Sequence, residues 1–224
     1  MAQDAAIRLS TVSVVEALAA SLRDRVLDGQ VRPGTAIAET EIATDYGVSR
    51  PTARSAITVL VHEGLLHRHA NKSAYVPHLT WGDVDDLFLV RTPLETHVVR
   101  VLVERDAVPV TAAERAIADL GRLDPDAPHS AFVEFDLGFH QSLVDAIGSP
   151  RLSRLYRGIK GEMHLCMVQT RHTLGRERIV AEHGAILDAL RAGDAEAAIR
   201  RMEAHLDGAR SSLQRIFEED RTPV

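Results

Sequence analysis

Aromatic residues supply only 4% of this 224-residue chain, and it has a single cysteine. One cysteine excludes an intramolecular disulfide framework. Scarce aromatics leave Leu, Val, Ile and Ala to fill the interior, and the hydrophobic fraction of 45% is ample for that. No apolar run approaches the length of about 20 residues that a membrane helix needs. The first residues also lack the apolar stretch of a signal peptide. These absences predict a soluble, cytoplasmic protein with no membrane partner. An excess of positive charge is missing too: the net charge is −6. It is unevenly placed. Residues 1–78 hold eight Lys/Arg and eight Asp/Glu, whereas residues 79–224 hold eighteen and twenty-four. The first segment is therefore neutral, and any binding to nucleic acid must come from local clustering of Arg50, Arg54, Arg68 and Lys72.

The segment from Ala38 to Leu66 carries the clearest local signal. Glu39 to Tyr46 reads as a short helix with Ile42 and Ala43 turned inward. Gly47 breaks it and Val48 fills the turn. Ser49 is suited to cap a second helix, since its hydroxyl accepts an orphan backbone N–H. Pro51 follows where a missing N–H costs nothing. Ala53, Ala56, Ile57 and Leu60 recur at helical spacing, and Gly64 is placed to close the helix. The outward face then presents Arg50, Thr52, Arg54, Ser55 and Thr58, short and basic as a major-groove helix requires. By itself this is equally an ordinary helical hairpin with a solvated face. Leu65–His69 and Ser73–Pro77 predict a β-hairpin around Ala70, Asn71 and Lys72, which adds a wing with a basic tip.

Upstream, a helix is expected from about Ser13 to Asp28, after a loose tail over 1–10. Pro77 to Thr80 reads as a linker, with Thr80 suited to an N-cap. From Trp81 onward no strand is expected. Helices are predicted over 81–105, 112–122, 129–147, 150–173, 175–191 and 194–219, with Pro93 expected to kink or split the first. The fold class is mainly α: a winged helix-turn-helix over 1–78 and an all-α bundle over 79–224.

The bundle has polar residues where apolar ones belong. Asp136 and His140 share the face of Phe132, Leu143 and Ile147. His183 lies among Ile179, Ile186 and Leu190, and His205 edges the stripe of Ala198, Met202, Ala209 and Leu213. Unpaired burial of such groups costs several kcal/mol. A divalent metal would satisfy them, as would a hydrogen-bonded polar core, and periodicity does not separate the two. Three imidazoles and a carboxylate favour zinc or nickel, one ion per chain, with manganese as the alternative. Arg91 occupies an inward position among Val84, Leu87, Leu94 and Val98. An Arg91–Glu95 pair one turn apart is the plain explanation. A small organic acid held between Arg91 and the metal is the functional one. Cys166, near Met163 and Met167, reads as a packed core thiol. His164 and His172 could line the cavity, but a surface position is the expectation for each, and His97 and His129 carry no signal.

The first third of the chain resembles the winged-helix domain of the GntR family of bacterial transcription regulators. The matching residues are Leu22-Arg23, Gly29, Pro33-Gly34, Glu41-Ile42-Ala43, Gly47-Val48-Ser49-Arg50, Arg54, Leu60 and Glu63-Gly64-Leu65. Leu79 to Leu213 is similar to the FCD ligand-binding domain of the FadR branch. Arg91-x-x-Leu94-Glu95, Asp136-x-x-x-His140, Glu182-His183-x-x-Ile186, Gly193-Asp194-x-x-x-Ala198 and Met202-x-x-His205-Leu206 carry that likeness. The resemblance implies that Asp136, His140, His183 and His205 hold a metal. It implies DNA contact by Ser49, Arg50, Thr52, Arg54, Arg68, Asn71 and Lys72, and an effector site at Arg91 and Glu95. The implied partners are double-stranded operator DNA with a palindromic or near-palindromic site, a small carboxylate and a second copy of the chain. Two positions depart from the pattern. Lys72-Ser73 replaces the usual Arg-Gly at the wing tip, and Thr40 stands where some relatives have a basic residue.

The expectation is a DNA-binding regulator, not an enzyme. Two alternatives stay open: a metal-dependent enzyme fused to a DNA-binding domain, and a constitutive DNA-binding dimer with a structural bundle. Turnover, effector-dependent DNA release, or neither would separate the three.

Overall fold

A computed structural model describes residues 13–70, 72–171 and 174–219. Helix α1 (Val14–Leu27) starts from a capping box in which Ser13 and Glu16 exchange side-chain and backbone bonds. It buries Leu18, Leu22 and Val26 against α3. Strand β1 (Ala36–Ile37) leads into α2 (Glu39–Asp45). At Gly47 (φ +62°) the backbone turns left-handed, and the Val48 N–H returns to the Ala43 carbonyl at 3.0 Å. Ser49 then caps α3 (Arg50–His62), accepting from the Thr52 N–H at 3.2 Å. Glu63 ends α3 and Gly64 (φ +74°) closes it. The Gly64 N–H reaches Val61 and the Leu65 N–H reaches Leu60, the two bonds of a Schellman motif.

The wing is broader than the expected hairpin. Strands β2 (His67–Arg68) and β3 (Ala74–Tyr75) pair antiparallel, but β1 adds to the other edge of β3, giving the order β1-β3-β2. Sequence patterning misses a two-residue strand, because two positions show no period. Ile37, Leu66, Ala74 and Val76 join the core of this unit.

The second unit is helical throughout its described residues. Its helices are α4 (Trp81–Glu104), α5 (Val110–Arg122), α6 (His129–Ala146), α7 (Pro150–Thr170), α8 (Arg176–Arg191) and α9 (Ala195–Glu219). Thr80 caps α4 as expected, through a capping box with Asp83. Pro93 does not split α4, which runs as one helix through it. Pro93 lies on the exposed face, as does Leu89 one turn before, so the acceptor freed by the missing N–H faces water. Helix α5 begins two residues earlier than expected, directly after Pro109. Helix α7 stops at Thr170, where Arg171 turns left-handed at φ +50°.

The bundle core gathers Val98, Val99, Leu102, Leu137, Phe139, Leu143, Tyr156, Ile186 and Met202. Helix α9 packs along α4 and α8, and α6 along α5 and α7. Helix α7 also serves the first unit, because Leu165 is buried in the winged-helix core. The backbone of Gly64 at the end of α3 approaches Gly158 and Gly161 of α7. Gln169 of α7 holds the linker, donating to the Pro77 carbonyl at 2.9 Å and accepting from the Leu79 N–H at 3.4 Å. Among the described residues no helix is long and apolar enough to cross a membrane.

Candidate metal and DNA-contact sites

Helix α6 places Asp136 and His140 one turn apart, α8 contributes His183 and α9 contributes His205. All four are buried. One ligand atom from each lies within 4.8 Å of every other. The three Nε2 atoms converge: His140 to His205 is 3.2 Å and His183 to His205 is 3.4 Å. Asp136 Oδ1 stands 3.4 Å from His183 Nε2 but receives no hydrogen bond.

Two of the imidazoles are held from behind. His140 Nδ1 meets Glu95 Oε2 at 2.5 Å, and His205 Nδ1 meets Glu182 Oε2 at 2.7 Å. A carboxylate at Nδ1 selects the tautomer that donates there, which leaves the Nε2 lone pair facing the cluster. Two Nε2 lone pairs 3.2 Å apart repel each other unless a positive centre lies between them. With the unsatisfied Asp136 oxygen, this donor set fits a divalent ion. Burial holds both His140 and His183 below the ordinary imidazole range, the latter far below, so both rest in the neutral form that ligates. Phe139 stacks on His183 at 4.1 Å and fixes its ring plane.

Helix α4 supplies a second layer. Arg91 Nε donates to Glu95 Oε1 at 2.5 Å, and the Tyr156 hydroxyl donates to the same oxygen at 2.7 Å. Burial opposes the charge on Glu95, but Arg91 and His140 outweigh it and hold the carboxyl well below its usual range. The plain Arg91–Glu95 pair is thus made. Arg91 nevertheless also borders a small cavity with Asp136, His205, Phe132, Met163 and Met167. Two residues of this layer lay beyond the sequence reading. Glu182 sits beside His183 in the chain but serves His205. The other is Tyr156 of α7, which no sequence motif marks. A larger cleft lies elsewhere, between α1, α6 and α7 near the end of α3.

Of the DNA-contact candidates, Arg54 of α3 and Arg68 of β2 are brought together around Glu39. Arg50 and Arg54 are exposed on α3, whose Ala53, Ala56, Ile57 and Leu60 are fully buried as the spacing predicts. Ser49 and Thr52 join through their hydroxyls at 2.8 Å, so both also build the cap. Arg68 lies on β2, and Lys72 is exposed at the wing tip. Asn71 lies outside the described residues, as does His172. On the wing, His69 stacks on Tyr75 at 5.1 Å and meets its hydroxyl at 3.1 Å.

His164 is not at the surface. It is buried in the interdomain cleft, with Nδ1 3.4 Å from Glu134, because its face of α7 is covered by the neighbouring unit. His129 stacks on Phe132 and meets the Met167 carbonyl at 3.2 Å. Cys166 is packed as expected, and burial pushes its thiol up to about 12.

Comparison with known proteins places both halves. Residues 14–76 match the model of the bacterial regulatory proteins of the gntR family, and residues 86–208 match the FCD domain. An uncharacterized HTH-type transcriptional regulator, YdhC of Bacillus subtilis, is 27% identical over 201 residues, 88% of this chain and 90% of that protein. The gluconate operon transcriptional repressor of the same organism is 25% identical over 218 residues, 93% of this chain and 88% of that protein. The crystal structure of a putative GntR transcriptional regulator from Rhodococcus sp. RHA1 shares the fold, with a TM-score of 0.74 at 24% identity, covering 91% of this chain and 98% of that one. With a gntR-type winged helix joined to an FCD domain that spans more than half its length, the chain belongs to the gntR family and is a DNA-binding transcriptional regulator.

Proposed function

We propose that this regulator is a repressor whose hold on operator DNA is released by a small carboxylate bound beside a metal ion. The observation that carries the reading is the convergence of Asp136, His140, His183 and His205 on one point next to a cavity bordered by Arg91. Asp136 and the three imidazoles would hold one divalent ion, zinc or nickel before manganese. The bound ion would supply a fixed positive charge for an anionic ligand. Glu95 anchors Arg91 through Nε, which leaves the remainder of the guanidinium for a ligand carboxylate. Met163 and Met167, flexible side chains on the cavity wall, are the groups that would yield to admit the acid. Fusion to a DNA-binding domain favours sensing over catalysis for this cluster.

Helix α7 supplies the route to DNA. Tyr156, Met163 and Met167 lie on the side that faces the polar cluster. Gly158, Gly161, Leu165 and Gln169 lie on the opposite side, against the winged helix and linker. A ligand that displaces Met163 and Met167 therefore pushes on the seat of the recognition helix. On DNA, Arg50, Arg54, Arg68 and Lys72 are the proposed contacts, with Ser49 and Thr52 at the helix start. One recognition helix covers too few bases for useful specificity, so a cytoplasmic homodimer on a near-palindromic site is expected. Light scattering at micromolar concentration tests this; a monomer would contradict it.

The effector reading is tested by a thermal-shift screen of metabolite mono- and dicarboxylates, with and without chelator. Calorimetry of the best acid on wild type and Arg91→Ala follows. Arg91→Ala should keep metal and DNA binding and lose the acid's effect on DNA. Equal binding of the acid to both proteins would sink the mechanism and leave the Arg91–Glu95 pair structural.

A further inference from the structure

Glu39, in the first turn of α2, is where three elements of the winged helix meet. Arg54 of α3 donates through Nε to both of its carboxylate oxygens at 3.0 Å, and its Nη2 lies 2.9 Å from Oε2. Arg68 of β2 brings Nη2 to 3.7 Å from Oε1. The Glu39 side chain is only 20% exposed, while those of Arg54 and Arg68 are 61% and 30% exposed. An anion is therefore lodged on the protein side of two cations that look outward.

The geometry on Arg54 is selective. A guanidinium has a side-on edge, formed by Nε and one Nη, and an end-on edge formed by the two Nη groups. Glu39 takes the side-on edge. The end-on edge stays free, and its two Nη groups can pair with O6 and N7 of guanine. The same carboxylate offsets positive charge that would otherwise attract any phosphate. As a device for stability the pair would be weak, since one partner is mostly solvated.

We propose that Glu39 is a specificity-determining positioning residue: it fixes Arg54 for end-on base readout and restrains Arg54 and Arg68 from indiscriminate phosphate binding. The inference rests on the reading of Arg54 and Arg68 as DNA-facing.

The test uses the full chain and a duplex that the wild type selects from a random library, beside a scrambled duplex of the same composition. Glu39→Gln, Glu39→Asp, Arg54→Ala and the Glu39→Gln/Arg54→Ala pair are titrated by fluorescence anisotropy at several salt concentrations. Glu39→Gln should bind the scrambled duplex more tightly, and the ratio of selected to scrambled affinity should fall roughly tenfold. On the scrambled duplex its salt slope should steepen by about one phosphate contact. Glu39→Asp, with the charge kept and the reach shortened, should keep the wild-type slope but lose part of the ratio. In the Arg54→Ala background, Glu39→Gln should leave the ratio of selected to scrambled affinity unchanged, because only its effect through Arg68 on phosphate binding, common to both duplexes, remains. An unaltered ratio in Glu39→Gln overturns the proposal. So does equal weakening on both duplexes with a lowered melting temperature, which marks a fold contact. If Arg54→Ala itself leaves both affinities at the wild-type level, the DNA-facing reading beneath it fails, and that failure is visible without any Glu39 variant.

Discussion

The backbone carbonyl of Glu63, at the end of the recognition helix, lies against Gly161 of α7 so closely that a Cβ on Gly161 would overlap its oxygen. Nearby, a Cβ on Gly64 would come within 2.7 Å of the Gly158 carbonyl. The end of α3 is thus seated on the backbone of α7 at Gly161 and Gly158, with the Glu162 side chain beside the contact at Gly64. Gly161→Ala must displace one helix from the other, at about 1–3 kcal/mol of stability. It should bind zinc like the wild type but weaken the coupling between the effector site and DNA. Hydrogen exchange reads this directly. In the zinc-loaded wild type, the best acid of the screen should change exchange in α7 and also over Val59–Leu66, whereas in Gly161→Ala the second effect should be reduced. An equal acid-dependent change over Val59–Leu66 in both proteins would count against α7 as the route.

The carboxylates behind the imidazoles set the second prediction. His183→Ala should abolish stoichiometric metal and lower the melting temperature of the metal-loaded protein. Glu182→Gln touches no ion. It should still weaken zinc binding roughly 10–100-fold, because the acceptor behind His205 loses its negative charge and with it part of the imidazole's orientation and basicity. Competition against a fluorescent chelator measures both. Elemental analysis showing no metal after repletion, with no chelator effect on melting, would favour a hydrogen-bonded polar core.

Acidification should destabilise the metal-free protein in two stages. Burial, the largest effect on each, depresses His140 and His183 in the folded state, so the unfolded chain takes up their protons first. Their contribution is present above the unfolded imidazole value of about 6.5 and is lost as pH falls from there through the folded values. Glu95 is also depressed in the folded state, burial opposing the shift and Arg91 with His140 carrying it. Its contribution is present above about 4.5 and is lost only below that. Urea unfolding across pH 4–8 should show stability declining first below about 6.5. Zinc should deepen that decline, because protonation competes with the ion for the same imidazoles. A metal-free stability that is flat from pH 7 to 5 would contradict the buried neutral pair.

Local chemistry determined much of this protein from its order of residues alone. Ser49, Gly47 and Gly64 announce the two short helices because caps and left-handed closures act within a few residues. The inward polar positions Arg91, Asp136, His140, His183 and His205 stand out because a helix repeats every 3.6 residues, and a charged group at an apolar phase is visible without any partner. The effect of Pro93 needed the fold: a helix tolerates the lost bond only when the freed acceptor reaches water, and exposure is a property of packing. Strand β1 also needed it, since two residues pair with β3 only after the chain has turned around α2 and α3. Periodicity could not say that Glu182 would turn to His205 and not stay with its neighbour His183. Nor could it show that Glu95 would join Arg91 to His140, that Glu39 would reach Arg54, or that Glu63 would rest on Gly161. Those pairs lie 15 to 98 residues apart in sequence or turn on which way one side chain points. Only the packing of whole helices brings such groups within reach, and hydrogen bonds act over about 3 Å.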